Sequence, residues 1–145
     1  MPTVEVTFTP LPAHVRTARL VATAVARRSG VDESVLDEVR LAVGEACSRA
    51  VEAHRKHCPR MPIKVALTDN SERFEVVVTD AAPAEDMPAE LTSSAVTLGV
   101  DGVIHQLPPG VGLAVISGLA DDVRISPAGD GTSVAMSWKR RTEPA

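Results

Sequence analysis

Three groups of residues in this chain have types and spacings suited to chemistry. Glu45 and Arg49 stand four residues apart inside the longest helical pattern, so one turn puts a carboxylate and a guanidinium on one face. Asp80 follows an alternating apolar segment, at the place where a strand would end. Gly110-Val111-Gly112 opens an apolar helical segment, where backbone N–H groups can face an anion with the helix dipole behind them. The Glu45–Arg49 face has two readings, a solvated ion pair or the floor of a ligand site. A lone Gly-x-Gly is more often a tight helix start than an anion site. His54, His57 and Cys58 carry metal-ligand side chains but lack a fourth partner at a usual spacing, and read as an exposed helix end.

The elements that must position these residues follow from period. Val4, Val6 and Phe8 alternate with polar neighbours and predict a half-buried strand, ended by Pro10 and Pro12. Leu11, Val15, Ala18, Ala22 and Val25 then recur at helical spacing, and Ser29-Gly30 closes that helix. Asp32 is a natural cap for a second helix, with Glu33 in its first turn. Its buried stripe is Val35, Val39, Ala42, Ala46 and Ala50, and it runs to about His57, before Pro59 and Pro62. Ile63, Val65 and Leu67, then Phe74, Val76 and Val78, predict a hairpin around Asp69–Glu72.

From Ala81 to Pro109 no period is sustained, which predicts a long binding loop or lid with a short helix near Ala89–Ala95. A helix over Leu113–Leu119 follows, then strands over Asp122–Ser126 and Thr132–Trp138, and a polar tail over 139–145. With no repeat and no linker, the expectation is one domain over 1–145. Its class is α+β: a two-layer α/β sandwich with a mixed, mostly antiparallel sheet of about five strands and three helices on one face.

Composition narrows the function. Apolar residues make up 44%, with one Trp, two Phe and no Tyr, so the core must be Val, Ala and Leu, and base stacking on aromatics is excluded. A net charge of −4 argues against a nucleic-acid backbone as partner. No apolar run reaches the roughly 20 residues of a membrane span, and the first residues lack a signal-peptide pattern. Cys47 and Cys58 lie ~16 Å apart along one helix, too far to bridge, so two free thiols in a cytoplasmic protein are expected.

The order of motifs resembles the GHKL ATPase fold, and within it the small anti-sigma factor serine-protein kinases of bacteria, of the actinobacterial type. The resemblance spans Val4 to Trp138. Glu45-Ala46-Cys47-Ser48-Arg49-Ala50-Val51 is similar to that family's N-box. Val78-Thr79-Asp80-Ala81-Ala82-Pro83 stands in the place of its first glycine box. Pro109-Gly110-Val111-Gly112-Leu113 matches the second, and Gly131-Thr132-Ser133-Val134 the closing strand. The resemblance implies ATP held by residues at Arg49, Asp80, Gly110, Gly112, Leu113 and Thr132, with Asp80 reading the adenine amino group. Glu45 would be the general base that activates a serine hydroxyl of an antagonist protein.

Two departures bear on that implication. The N-box asparagine that holds Mg²⁺ in the family is Arg49 here, and a guanidinium has no acceptor for a cation. The glycine after the adenine-reading Asp is replaced by Ala81-Ala82. Independently of any family, no Lys or Arg stands between Arg73 and Arg124, whereas a lid closing on a triphosphate normally brings cations.

The favoured reading is therefore an anti-sigma-type regulator that binds a sigma factor and is countered by an anti-anti-sigma antagonist. ATP binding and kinase activity would be weak or lost, with no metal site and Mg²⁺ not expected. The alternatives are an active ATP-dependent serine kinase of the same family, and an unrelated two-layer domain. Arg16, Arg19 and Arg27 on the first helix would meet acidic partners or simply be solvated. Neither nucleic acid nor membrane is expected as a partner, and homodimerisation through the first strand is an expectation of the resemblance.

Overall fold

Alternating and helical periods sort the chain into two hairpins, one leading strand and two long helices. The computed structural model describes residues 3–70, 72–83, 116–129 and 131–139. Strand β1 (Thr3–Phe8) leads to helix α1 (Pro12–Arg28), and a 3-10 turn at Glu33–Val35 leads into helix α2 (Leu36–His57). The first hairpin is β2 (Ile63–Asp69) with β3 (Arg73–Thr79), the second β4 (Asp122–Ala128) with β5 (Gly131–Lys139). As expected, Asp32 caps the start of the second helical segment, its Oδ1 accepting from the Ser34 N–H at 3.0 Å.

The five strands form one sheet in the order β1-β2-β3-β5-β4. All four pairings are antiparallel, where the sequence suggested some mixture, because the second hairpin enters with β5 alongside β3. Register aligns the apolar residues into rows that cross every strand. Val6, Val65, Val78, Val134 and Ile125 form one row, and Val4, Leu67, Val76, Met136 and Val123 the next. A slip of one residue would turn each row to the opposite face, so the pattern itself fixes the pairing. At the end of the sheet Phe74 packs against Trp138, ring centroids 6.2 Å apart, and the indole N–H donates to the Leu119 carbonyl at 2.9 Å.

Both helices cover one face of the sheet, α2 against β3 and β5 and α1 against β2. Small side chains bring the layers together: Ala18, Ala22 and Ala26 of α1 and Ala42, Ala46 and Ala50 of α2 are all buried. The helices approach closely at Gly44, where a Cβ would stand 2.8 Å from Cδ of Arg19. The aliphatic stem of Arg19 thus lies directly on the α2 backbone.

Two sequence expectations shift by one position. Leu11 is exposed because α1 starts at Pro12, which leaves Leu11 outside the first turn. Ala26 rather than Val25 ends the buried stripe of α1. Of the third expected helix, Leu113–Leu119, the described part is a short helical turn at Ile116–Ser117. Two full helices are therefore described rather than three. The loop beyond Pro83, the short helix near Ala89–Ala95 and the tail beyond Lys139 lie outside the described residues.

Candidate functional site

The site is built where β3 ends beside the start of β5. Asp80 continues β3 by one step, its N–H donating to the Thr132 carbonyl at 2.9 Å. That bond brings the two chains so close that Gly131 has no room for a side chain: a Cβ there would fall 1.9 Å from the Asp80 carbonyl oxygen. The Asp80 side chain then folds back on its own segment. Its Oδ1 accepts from the Ala82 N–H at 3.1 Å and from the Thr132 N–H at 3.2 Å. This Asx turn explains how Ala81-Ala82 substitutes for a glycine, since no described non-glycine residue adopts positive φ.

Helix α2 supplies the third wall. Arg49 crosses to Asp80, Nη1 donating to Oδ2 at 2.6 Å, with the two side chains 12% and 1% exposed. The sequence reading offered Glu45 as the local partner of Arg49. The structure instead gives Arg49 to a carboxylate 31 residues away, while the Glu45 side chain is half-buried and forms no ion pair among the described residues. Desolvation decides this choice. A carboxylate buried at the end of β3 needs a counter-charge, whereas Glu45 keeps contact with water.

One turn further on, His54 is wholly buried, not part of an exposed helix end. Its Nδ1 lies 2.9 Å from the Met61 carbonyl, and the Ala81 N–H donates to its Nε2 at 2.8 Å. A carbonyl only accepts and an N–H only donates, so the ring is neutral with its proton on Nδ1. His54 thereby clamps the segment after Asp80 to the end of α2. A signal for it existed in the sequence: 42, 46, 50 and 54 continue one helical stripe.

Thr132 completes the corner with an anomaly. Its hydroxyl is buried without a hydrogen-bond partner among the described residues, although its own N–H and carbonyl are both engaged by Asp80. The structure thus assembles Arg49, Asp80 and Thr132, with Glu45 one turn away on α2. Gly110, Gly112 and Leu113 lie outside the described residues.

The surrounding thiols are electrostatically quiet. Burial pushes the Cys47 thiol up to about 12, with Arg19 opposing weakly, and burial followed by the Asp80 charge raises Cys58 as well. Both cysteines are free. A second concavity, a groove of about 650 Å³ between α1 and α2, is lined by Arg19, Arg55, Lys56, Ser48 and Glu52 among others. Arg27 is not available there or elsewhere as a free cation, since it pairs with Glu33 at 2.9 Å.

This donor set does not suit Mg²⁺ with ATP. Arg49 stands at the N-box position and cannot ligate a cation, and both Asp80 oxygens already accept from protein donors. Among the described residues no group of three or more His, Cys, Asp or Glu is arranged to hold a metal ion. Nor is any described helix long and apolar enough to cross a membrane.

A sequence model described as the histidine kinase-like ATPase domain matches residues 8–138. Among curated relatives, serine-protein kinase RsbW of Bacillus subtilis is 27% identical over 126 residues, covering 87% of this chain and 78% of the relative. The protein of the same name in Halalkalibacterium halodurans is 27% identical over 135 residues, covering 93% and 82%. Among solved structures, the RsbU and RsbW domains of Rv1364c from Mycobacterium tuberculosis align with a TM-score of 0.65 at 20% identity. That alignment covers all of this chain and 34% of the longer solved chain. The catalytic domain of histidine kinase ThkA aligns with a TM-score of 0.51 at 14% identity, covering 97% and 99%.

Proposed function

Because the chain belongs to the histidine kinase-like ATPase domain family, we propose that it acts as an anti-sigma-type regulator whose nucleotide site has become structural. It binds a sigma factor and is countered by an anti-anti-sigma antagonist, and its binding of Mg-ATP and its kinase activity are weak or lost. The similarity to serine-protein kinases named RsbW supports the regulatory class. The observation that carries the loss of nucleotide function is the buried Arg49–Asp80 pair, which engages the residue expected to read the base. A cytoplasmic location belongs to the same reading. So does a homodimer through β1, whose outer edge no described strand pairs.

Partner contact is proposed on the α1–α2 side, where Arg19, Arg55 and Lys56 outnumber Glu52 along the groove. Such a basic rim favours an acidic protein surface and acts mainly on the rate of encounter. Glu45 gives the second reading its footing. Its carboxylate remains unpaired among the described residues, as a general base in an active serine kinase would require.

Calorimetry with Mg-ATP separates the two readings. The regulator shows no heat of binding at concentrations that saturate active relatives, and transfers no label from ATP to an antagonist. Low-micromolar binding with label transfer to a serine would establish the kinase instead.

A further inference from the structure

Of the described histidines, His54 alone is buried, and its two ring bonds are of opposite sense. The Nδ1–H donates to the Met61 carbonyl at 2.9 Å, and Nε2 accepts from the Ala81 N–H at 2.8 Å. A proton added to this ring must go to Nε2, because Nδ1 already carries one. The new N–H would then meet the N–H of Ala81, donor against donor. The Met61 bond survives such a proton, and the Ala81 bond does not.

The surroundings give a charged ring no new partner. Asp80, just past β3, already accepts from Arg49 at Oδ2 and from two backbone donors at Oδ1. In the connection to β2 Cys58 is half-buried and Arg60 exposed, and Lys64 on β2 is exposed. On α2 itself Arg55 and Lys56 are exposed, His57 is half-buried, and Glu52 lines the groove with α1. From α1, His14 is bonded to Thr9 and the Arg19 stem lies on Gly44. A buried charge without a partner is costly. The proton therefore reaches Nε2 only when the ring and Ala81 have parted and water stands between them.

We propose that His54 is a proton-operated clamp, which when neutral holds Ala81 to the end of α2 and when protonated lets it go while keeping Met61. Ala81 sits between Asp80 and Ala82, whose N–H closes the turn onto Asp80 Oδ1. Its release loosens the segment that presents Asp80 to Arg49. The direction follows from linkage. The clamped ring excludes the proton and a released imidazole takes it up below about pH 6.5, so acid favours release. The released fraction is at its floor above that pH and rises about tenfold for each unit below it.

The test is amide exchange of the full-length chain, followed by NMR and divided by the intrinsic rate at each pH. Protection of the Ala81 N–H should fall about tenfold from pH 7.5 to pH 5.5. It should lie below that of Val76 and Val78 at both pH values, since Ala81 opens locally. The ring nitrogens should show the Nδ1-protonated neutral form at pH 7.5. His54→Gln offers Ala81 an amide oxygen that does not titrate, and should reduce the drop to less than about twofold. His14→Gln and His57→Gln should leave the drop in place.

Ala81 protection that does not change with pH overturns the proposal, as does a drop that persists in His54→Gln or vanishes in either of the other two variants. Protection equal to that of Val76 and Val78 overturns it as well, because release would then need global unfolding. So does a ring protonated on Nε2 at pH 7.5, or a doubly protonated ring with Ala81 still protected. If His54→Gln does not fold, the wild-type measurements and the other two variants decide. None of these outcomes involves Mg-ATP, so failure of the clamp and failure of the regulator reading are told apart.

Discussion

Two adjacent turns of α2 carry charges from the same N-box segment and treat them in opposite ways. At Glu45 the carboxylate is half-buried and unpaired among the described residues. At Arg49 the guanidinium is drawn inward to a carboxylate that is 1% exposed, and at His54 a neutral ring is bonded at both nitrogens. Water explains the contrast. A side chain that keeps its hydration can remain uncommitted, while one facing the sheet must find a partner or incur a desolvation cost of several kcal/mol. Glu45 thus stays uncommitted among the described residues, whereas Arg49 is tied into the fold by its pair with Asp80.

The contrast can be broken most directly at Arg49. Arg49→Ala should cost about 3 kcal/mol or more in denaturant unfolding, because it strands the Asp80 carboxylate in the interior. A cost below about 1 kcal/mol would mean that the pair is no structural member. His54→Ala should cost somewhat less, about 2 kcal/mol, by leaving the Met61 carbonyl and the Ala81 N–H unmet. If the loss at His54 exceeded that at Arg49, the clamp rather than the ion pair would be the main tie between α2 and the end of β3.

Cys47 sharpens the comparison through pH. Its folded-state thiol titrates near 12 against an ordinary 9.0, so the folded state keeps the proton longer than the unfolded chain does. The stability this supplies is complete below about pH 9 and is lost as pH rises toward 12. Cys47→Ala should flatten that alkaline decline, measured as Tm against pH. At neutral pH a thiol reagent should modify Cys58 alone in the folded chain, and both cysteines after unfolding. The smallest effect is expected at the free carboxylate. Glu45→Gln should leave stability within about 0.5 kcal/mol of wild type. A loss matching that of Arg49→Ala would erase the distinction between the two turns.

The sheet and both helices were legible because period alone determines which side chains face the core. Val76, Val78, Val134 and Met136 declare their face by alternation, and Ala42, Ala46 and Ala50 by helical step. His54 continues the same helical stripe, but its polar ring close to the helix end led to the reading of an exposed helix end, whereas it is wholly buried. The Arg49–Asp80 pair was not legible. Local spacing offered Glu45 as partner, and only the register of β3 with β5 brings Asp80 beneath α2. The corner's other donors are the N–H groups of Ala82 and Thr132, which every residue but proline carries and which leave no mark in a sequence.

The chain has one Trp and no Tyr, and that Trp lies fully buried with its N–H on the Leu119 carbonyl and its ring against Phe74. Light emitted by the indole therefore reports on a single place, where β3 and β5 meet the turn after Ile116. An event that shifts this turn against the sheet should change the colour of the emission without any added dye. A partner seated on the α1–α2 groove, which Trp138 does not line, should leave it unchanged.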